Sequence, residues 1–396
     1  MCQKSVLPDM HNEMSQKTKQ EVMERLRRYY AKAGPDYKSQ LIDQAIKLLG
    51  YHRKAAIRAL NWKPAPVRSV ALMLGRPREY EPERLLKILK PIWFAAFQPC
   101  GSRLHALLPE WLPAYEVDHR RLDADLRESL LAASARTLDR MLAPLRTGLR
   151  RRGGTRPGSL LRQSIPLRGP WEEEGAGWLE VDTVALCGGS LDDRHLWMLD
   201  GVDIRTDWTE QRALENRGQH CTLAQLRDLE TSLPFALRGL DSDNGGQFIN
   251  HHVVAWLRER SHPVLFTRAR AYHKNDNAHV EQRNWTHVRQ HFGYERYDNP
   301  AVVPLINTLC KGPLGQLHNH FLPTHKLAGK RRKKKRIIRL YGQALTPYER
   351  VLQAQEVSAQ KKRELEQVHQ RLNPFQLARE IERQKKEIHR QKLLRS

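Results

Sequence analysis

Three carboxylates stand where their types and spacing could do chemistry: Asp182 in WLEVDTVAL, Asp243 in LDSDNGGQFIN and Glu281 in NAHVEQRNW. Carboxylates gathered around one point repel each other unless cations neutralise them. Oxygen donors with no Cys or His among them select a hard ion such as Mg2+. Two such ions ~3.5–4 Å apart activate the attacking oxygen and stabilise the leaving oxygen in phosphodiester transfer. The middle segment also has a plainer reading. Asp-Asn-Gly between apolar runs is a common reversal, because these residues tolerate positive φ and bond their own backbone. Asp241, two residues earlier, points to the same face and competes with Asp243 for the role. Asp200 and Asp203 are weaker candidates, near an expected strand turn and outside any motif.

The elements that must position these residues begin near 176, where the apolar period changes from 3.6 to 2. WLEVDTVAL sets Leu179, Val181 and Thr183 against Glu180, Asp182 and Val184, as a strand does. RHLWMLDGVDI and TDWTEQRAL are the next two expected strands. TLAQLRDLETSL follows as a helix capped by Thr222, then PFALRGLD as a strand, INHHVVAWLRER as a helix, HPVLFTRA as a strand and NAHVEQRNWTHVRQHF as a helix. This order predicts an α/β core with a mixed sheet. In open α/β sheets, ligands collect at strand ends and the adjoining helices, so residues distant in sequence can converge there.

Ahead of this core the chain reads as helix. Gln20–Tyr30 carries Val22, Leu26, Tyr29 and Tyr30 at helical spacing, and 39–49 carries Leu41, Ile42, Ala45, Ile46 and Leu49. Gly50 supplies a turn, and HRKAAIRALN forms a third helix with Ala56, Ile57 and Leu60 inward and His52, Arg53, Lys54 and Arg58 outward. A helix, a Gly turn and a helix with a basic leading end is the pattern of a helix-turn-helix. A second such pattern ends in LLAASARTLDRMLAPLR, with Ser134 as the cap and Arg136 and Arg140 exposed. Past 310, Lys330, Arg331, Arg332, Lys333, Lys334, Lys335 and Arg336 run consecutively beside Ile337, Ile338, Leu340 and Tyr341, which points to a basic β-hairpin. The last segment is charged and helical. Asn373-Pro374 with Gln376 restarts it, and Leu365, Val368, Leu372, Ile381 and Ile388 make a weak seam expected to stay solvated or to track DNA.

Composition bounds the partners. The 396 residues carry 68 Lys plus Arg against 44 Asp plus Glu, a formal net charge of +24, so a polyanion is expected, and nucleic acid ahead of a membrane surface. The mean hydropathy of −0.68 and the lack of a long apolar run point to a soluble protein of the cytosol. Five cysteines, Cys2, Cys100, Cys187, Cys221 and Cys310, show no zinc or disulfide spacing. His220, His251 and His252 read as surface or capping residues.

Taken in order and spacing, VDTV, DSDNGGQFIN and NDNAHVEQRNW resemble the Asp-Asp-Glu core of the retroviral-integrase superfamily, and within it the bacterial insertion-sequence transposases. GYHRKAAIRAL, LLAASARTLDRML, the Lys-rich hairpin and TPYERVL are similar to the flanks of that group. The resemblance implies that Asp182, Asp243 and Glu281 are catalytic and hold two Mg2+ ions, with Mn2+ as a substitute. Asp243, directly before Asn-Gly, is then the working aspartate and Asp241 its support. The turn presents the ligand. The resemblance further implies that Arg268, Arg270 and Lys274 lie in a DNA-contacting loop ahead of Glu281. Gln247 stands where the group often has Glu, and Asp207 where it often has Gly.

The implied architecture is multidomain, α and α/β. It comprises a helix-turn-helix domain over 1–65, a second helical domain over 66–150, a basic linker over 151–174 and a ribonuclease-H-like catalytic core over 175–305. A small basic β-barrel-like domain over 306–345 and a charged helical tail over 346–396 complete it. The implied activity is cleavage of an element's DNA end and joining of its 3′-hydroxyl to target DNA, by a homo-oligomer on double-stranded DNA with terminal inverted repeats. A DNA-binding repressor without catalysis, and a nuclease without strand transfer, are the rival readings.

Overall fold

The structure, a computed structural model, describes residues 14–62, 81–119, 121–146, 175–191, 194–243, 245–268, 283–333 and 336–394. The chain divides into two compact units, Met1–Pro77 and Arg78–Ser396.

The first unit is a three-helix body. α1 (Gln16–Tyr30) starts at Ser15, whose hydroxyl accepts the Thr18 N–H. α2 (Pro35–Leu49) starts with proline at its first turn and stops at Gly50, which sits at φ 72. Only glycine enters that left-handed region without strain, and the sharp stop turns the chain into α3 (Arg53–Leu60). Met23, Leu26, Tyr30, Leu41, Ile42, Ala45, Leu49, Ala56 and Leu60 form its core. Tyr29, expected inside, is 48% exposed, because Met23 fills the inward position of α1 instead.

The second unit holds the mixed sheet. β1 (Trp178–Ala185), β2 (Trp197–Asp203) and β3 (Thr209–Leu214) are antiparallel neighbours, while β4 (Gly239–Ser242) and β5 (Leu265–Arg268) run parallel to β1, giving the order β3-β2-β1-β4-β5. One face (Leu179, Val181, Leu199, Leu240, Phe266) packs against α8 (Gln219–Thr231) and α9 (His251–Arg258). Asn250 caps α9 by accepting the Val253 N–H at 3.1 Å. α8 begins three residues before its expected cap: Gly218 is the cap residue, and Thr222 is buried inside the helix.

Four helices, α4 (Pro82–Ala95), α5 (Gly101–Asp118), α6 (Ala124–Ala132) and α7 (Ala135–Leu142), precede the sheet. Ser134 caps α7 as expected, accepting the Thr137 N–H at 3.2 Å. These helices do not form a core apart from the sheet, as boundaries at 150 and 175 led us to expect. Leu89, Trp93, Leu108, Trp111 and Leu138 share one apolar cluster with Val184 and Met198 on the other face of the sheet.

Two further expectations fail for the same reason. The stretch 306–345 is not a small barrel. Its first part is helical, with α11 (Val303–Leu309), a π-helical turn Cys310–Leu314 and α12 (Gly315–Phe321) buried in that cluster. Only β6 (Leu327–Lys333) and β7 (Arg336–Tyr341) pair, as a two-stranded hairpin. The tail is not merely solvated either. After α13 (Pro347–Gln353) and α14 (Ala359–Arg371), α15 (Pro374–Leu393) buries Phe375, Leu377, Ile381 and Ile388 in the same cluster. At about 1.5–3 kcal/mol per buried side chain, four contacts suffice to dock a helix that is otherwise charged. Asn373 caps α15 as expected, accepting the Phe375 and Gln376 N–H groups. The reciprocal capping box forms instead at Thr346 and Glu349, at the head of α13.

Among the described residues no helix is long and apolar enough to cross a membrane.

Candidate functional site

Strand register places the candidate aspartates on neighbouring segments. β1 and β4 run in parallel with Val181 paired to Ser242, so Asp182 lies one residue past that pair on β1 and Asp243 directly follows the end of β4. On the other side of β1, Asp182 is the direct partner of Asp200. Asp182 and Asp200 are therefore cross-strand partners on β1 and β2, and Asp243 follows the strand on the other side of β1.

Backbone and amide donors orient the first two. Asp182 accepts the Thr183 N–H on Oδ1 (2.7 Å) and the Asn284 Nδ2–H on Oδ2 (2.6 Å). Asn284 opens the π-helical turn Asn284–Arg289, which runs into α10 (Gln290–Phe292). Asp243 accepts the Gly245 N–H on Oδ1 at 2.9 Å, the bond of an Asx-type turn. Gln247 donates to Thr183 Oγ1 at 3.2 Å and so ties this loop to β1. Its side chain lies over Gly245, where an added Cβ would come within 2.3 Å of it. The neutral amide braces the loop without adding another negative charge.

Asp200 lies mid-strand, not at a turn, and is fully buried. Neither carboxyl oxygen has a hydrogen-bond partner among the described residues, and His287 Nδ1 stands 3.9 Å away. Burial, with the Asp182 charge added, pushes its pKa up to about 8. Burial, with His318, Arg283 and His291 around it, holds His287 well below the ordinary imidazole range, so the neighbour of Asp200 is a neutral ring.

The other aspartates have structural work. Asp241 is fully buried and accepts the Thr267 hydroxyl of β5 at 2.5 Å, in keeping with a supporting role. Asp203 accepts the N–H groups of Gly177, Trp178 and Thr206 and the Thr206 hydroxyl, closing the turn between β2 and β3. Asp207 occupies φ 63, which Asp tolerates better than most residues. Its carboxylate meets Arg283 Nη2 at 2.8 Å, Arg350 Nη1 at 3.1 Å and Lys326 Nζ at 3.2 Å. Burial works to raise its pKa, but these three cations outweigh burial and hold the carboxyl well below the carboxylate range.

Several expected site residues lie outside the described residues: Glu281, Arg270, Lys274, Lys334 and Lys335. Arg268 is half-buried at the end of β5. His52, Arg53, Lys54 and Arg58 are exposed on α3, where Arg53 also pairs with Asp43 at 3.0 Å. Arg136 and Arg140 are exposed on α7, and Arg331 and Arg332 on the hairpin; Lys330, Lys333 and Arg336 belong to its strands. His220, His251 and His252 are exposed, as expected, and the four described cysteines are free. Among the described residues no group of three His, Cys, Asp or Glu side chains could hold a metal. Asp182 on β1 and Asp243 directly after β4 are hard oxygen donors of the kind a Mg2+-type ion takes.

Sequence reasoning overlooked Asn284 and undervalued Asp200. The signal for Asn284 was its place one helical turn beyond Glu281 in EQRNW. The signal for Asp200 was the hairpin of β1 and β2, whose pairing puts 200 opposite 182.

No protein-family model matches the chain. Uncharacterized protein y4rM of Sinorhizobium fredii (strain NBRC 101917 / NGR234) is 35% identical over 359 residues, which cover 86% of this chain and 97% of that protein. The chain belongs to the family of y4rM. The alignment spans nearly the whole relative and most of this chain, so the kinship is not confined to a single module.

Proposed function

We propose that this protein is a DNA strand transferase of the insertion-sequence transposase type, with a ribonuclease-H-like core. The observation that supports the reading is the mixed sheet ordered β3-β2-β1-β4-β5, in which Asp182 stands on β1 and Asp243 directly follows the parallel neighbour β4. The Asn284 bond to Asp182 supports a role for the segment just ahead of it, where Glu281 lies in the sequence. Asp182, Asp243 and Glu281 would hold Mg2+, which when bound supplies activation of an attacking oxygen and stabilisation of a leaving one.

The chain's own residues prepare that site. Asn284 and the Thr183 N–H fix the carboxylate plane of Asp182, the Gly245 N–H fixes Asp243, and the Gln247–Thr183 bond holds the two segments in register. Preset orientation matters because ligands that need not reorganise deliver more of their electrostatic effect to the transition state. The exposed basic faces of α3, α7 and the β6–β7 hairpin suit phosphate contact, and the +24 charge supports a polyanionic partner.

The test is cleavage of a labelled terminal-repeat DNA by the full chain with Mg2+, and joining of a pre-cut end to a plasmid. Cleavage and joining are expected in the wild type and neither in Asp182→Asn or Asp243→Asn, while repeat binding persists in both. Cleavage without joining would favour the nuclease reading. Repeat binding with neither reaction, under Mg2+ or Mn2+, would hand the protein to the repressor reading.

A further inference from the structure

A cavity of about 340 Å3 opens beside the π-helical turn. Gln98 and Arg103 border it from the α4–α5 corner and α5, Arg283, Trp285 and His287 from the π-helical region, and His318 from α12. Its volume is at the lower end of small-molecule sites, which run from ~300 to 1,000 Å3.

Charge sets what it can take. Asp207 is the carboxylate on the wall, and it is already shared by Arg283, Lys326 and Arg350. Arg103 is a further cation on the same wall. It donates its Nε–H to the Pro323 carbonyl at 2.5 Å, and among the described residues the rest of its fork has no partner. Arg283 spends its fork on Asp207 alone among the described residues. Other titratable groups nearby do not restore balance. Asp203 is saturated by four donors, Glu349 is committed to the Thr346 cap, and His287 and His318 are held neutral by burial beside the arginines. Two half-used guanidinium forks in one partly enclosed cavity, with one carboxylate divided among three cations, form a site for an anion that accepts paired hydrogen bonds. Trp285 and the imidazole walls add flat apolar surface beside it.

We infer that this cavity binds a nucleoside phosphate, with the phosphate on Arg103 and Arg283 and the base against Trp285. The assignment of the ligand to a DNA strand rests on the function proposed above; the phosphate site itself does not.

The experiment titrates the full chain calorimetrically with inorganic phosphate, a deoxynucleoside 5′-monophosphate and a single-stranded trinucleotide. Arg103→Gln, Arg103→Lys, Trp285→Phe and the surface control Arg383→Gln are compared with the wild type. The monophosphate is expected to bind more tightly than phosphate. Arg103→Gln should weaken it about tenfold or more, with partial retention in Arg103→Lys and no change in Arg383→Gln. Quenching of tryptophan emission by the ligand should fall in Trp285→Phe, a readout that stands even if Arg103→Gln fails to fold. Tighter binding of the trinucleotide assigns the site to a strand, and its exclusion assigns the site to a free nucleotide. Equal binding by wild type and folded Arg103→Gln, or no binding of any of the three, overturns the inference. Asp182→Asn should bind the monophosphate as the wild type does, so loss of cleavage there separates a failed function from a failed pocket.

Discussion

Two sets of aspartates in the same unit are treated in opposite ways. Asp207 is clamped by Arg283, Lys326 and Arg350, and its negative charge is used up in holding the start of the π-helical region, β6 and α13 together. Asp182 and Asp243 accept N–H donors from Thr183, Asn284 and Gly245, which fix the direction of their carboxylates. A carboxylate clamped by three cations builds structure; one oriented by N–H donors has its lone pairs set in a fixed direction. Asp200 stands between the two cases, buried with unpartnered oxygens and raised toward the neutral form.

The largest effect expected from this contrast is on activity. Asp243→Asn should lower cleavage about 10^4-fold while leaving the urea midpoint close to the wild type, because groups acting as one unit fail together and the Gly245 N–H still finds an acceptor. A large loss of stability in this variant would erase the distinction from Asp207.

Asp207→Ala should do the reverse, destabilising the fold by about 3–5 kcal/mol, since removing one partner leaves buried cations uncompensated. Denaturant unfolding at constant m measures it. A change below about 1 kcal/mol would mean that the three cations are solvated enough not to need the carboxylate.

A smaller effect sharpens the middle case. The Asp200 carboxyl is raised from an ordinary value near 3.8 to about 8 in the folded state. The folded protein therefore binds the extra proton between these values, and this site makes stability fall as pH rises through that window. Asp200→Asn, measured in EDTA, should be more stable than the wild type at pH 8, with the gap closing toward pH 4. A gap that widens as pH falls would show that Asp200 is charged in the fold.

The smallest change expected is in Asp241→Asn. The amide oxygen can still accept the Thr267 hydroxyl, so stability should drop by about 1 kcal/mol and cleavage by only a few-fold. Loss of activity equal to that of Asp243→Asn would mean that the wrong aspartate was assigned.

Much of the local structure was legible in the sequence. Gly50, Ser134 and Asn373 mark helix ends by their own backbone and side-chain chemistry, and the order of strands and helices from 178 to 268 follows from apolar periodicity. These are short-range matters, decided within a few residues. The burial of Glu180, Asp200 and Asp241 was not legible, because alternation of polar and apolar residues implies a wet face only when nothing covers it, and here helices cover both faces. Nor was the docking of α15, whose four buried side chains make a weak seam in sequence and find their partners on α4, α5 and α11–α12. The sequence by itself determined which residues could carry negative charge, where helices start and stop, and that the chain is strongly basic. Tertiary structure alone decided that Asp207 would be the clamped aspartate, because that depends on Arg283, Lys326 and Arg350, distant in sequence, arriving at one carboxylate.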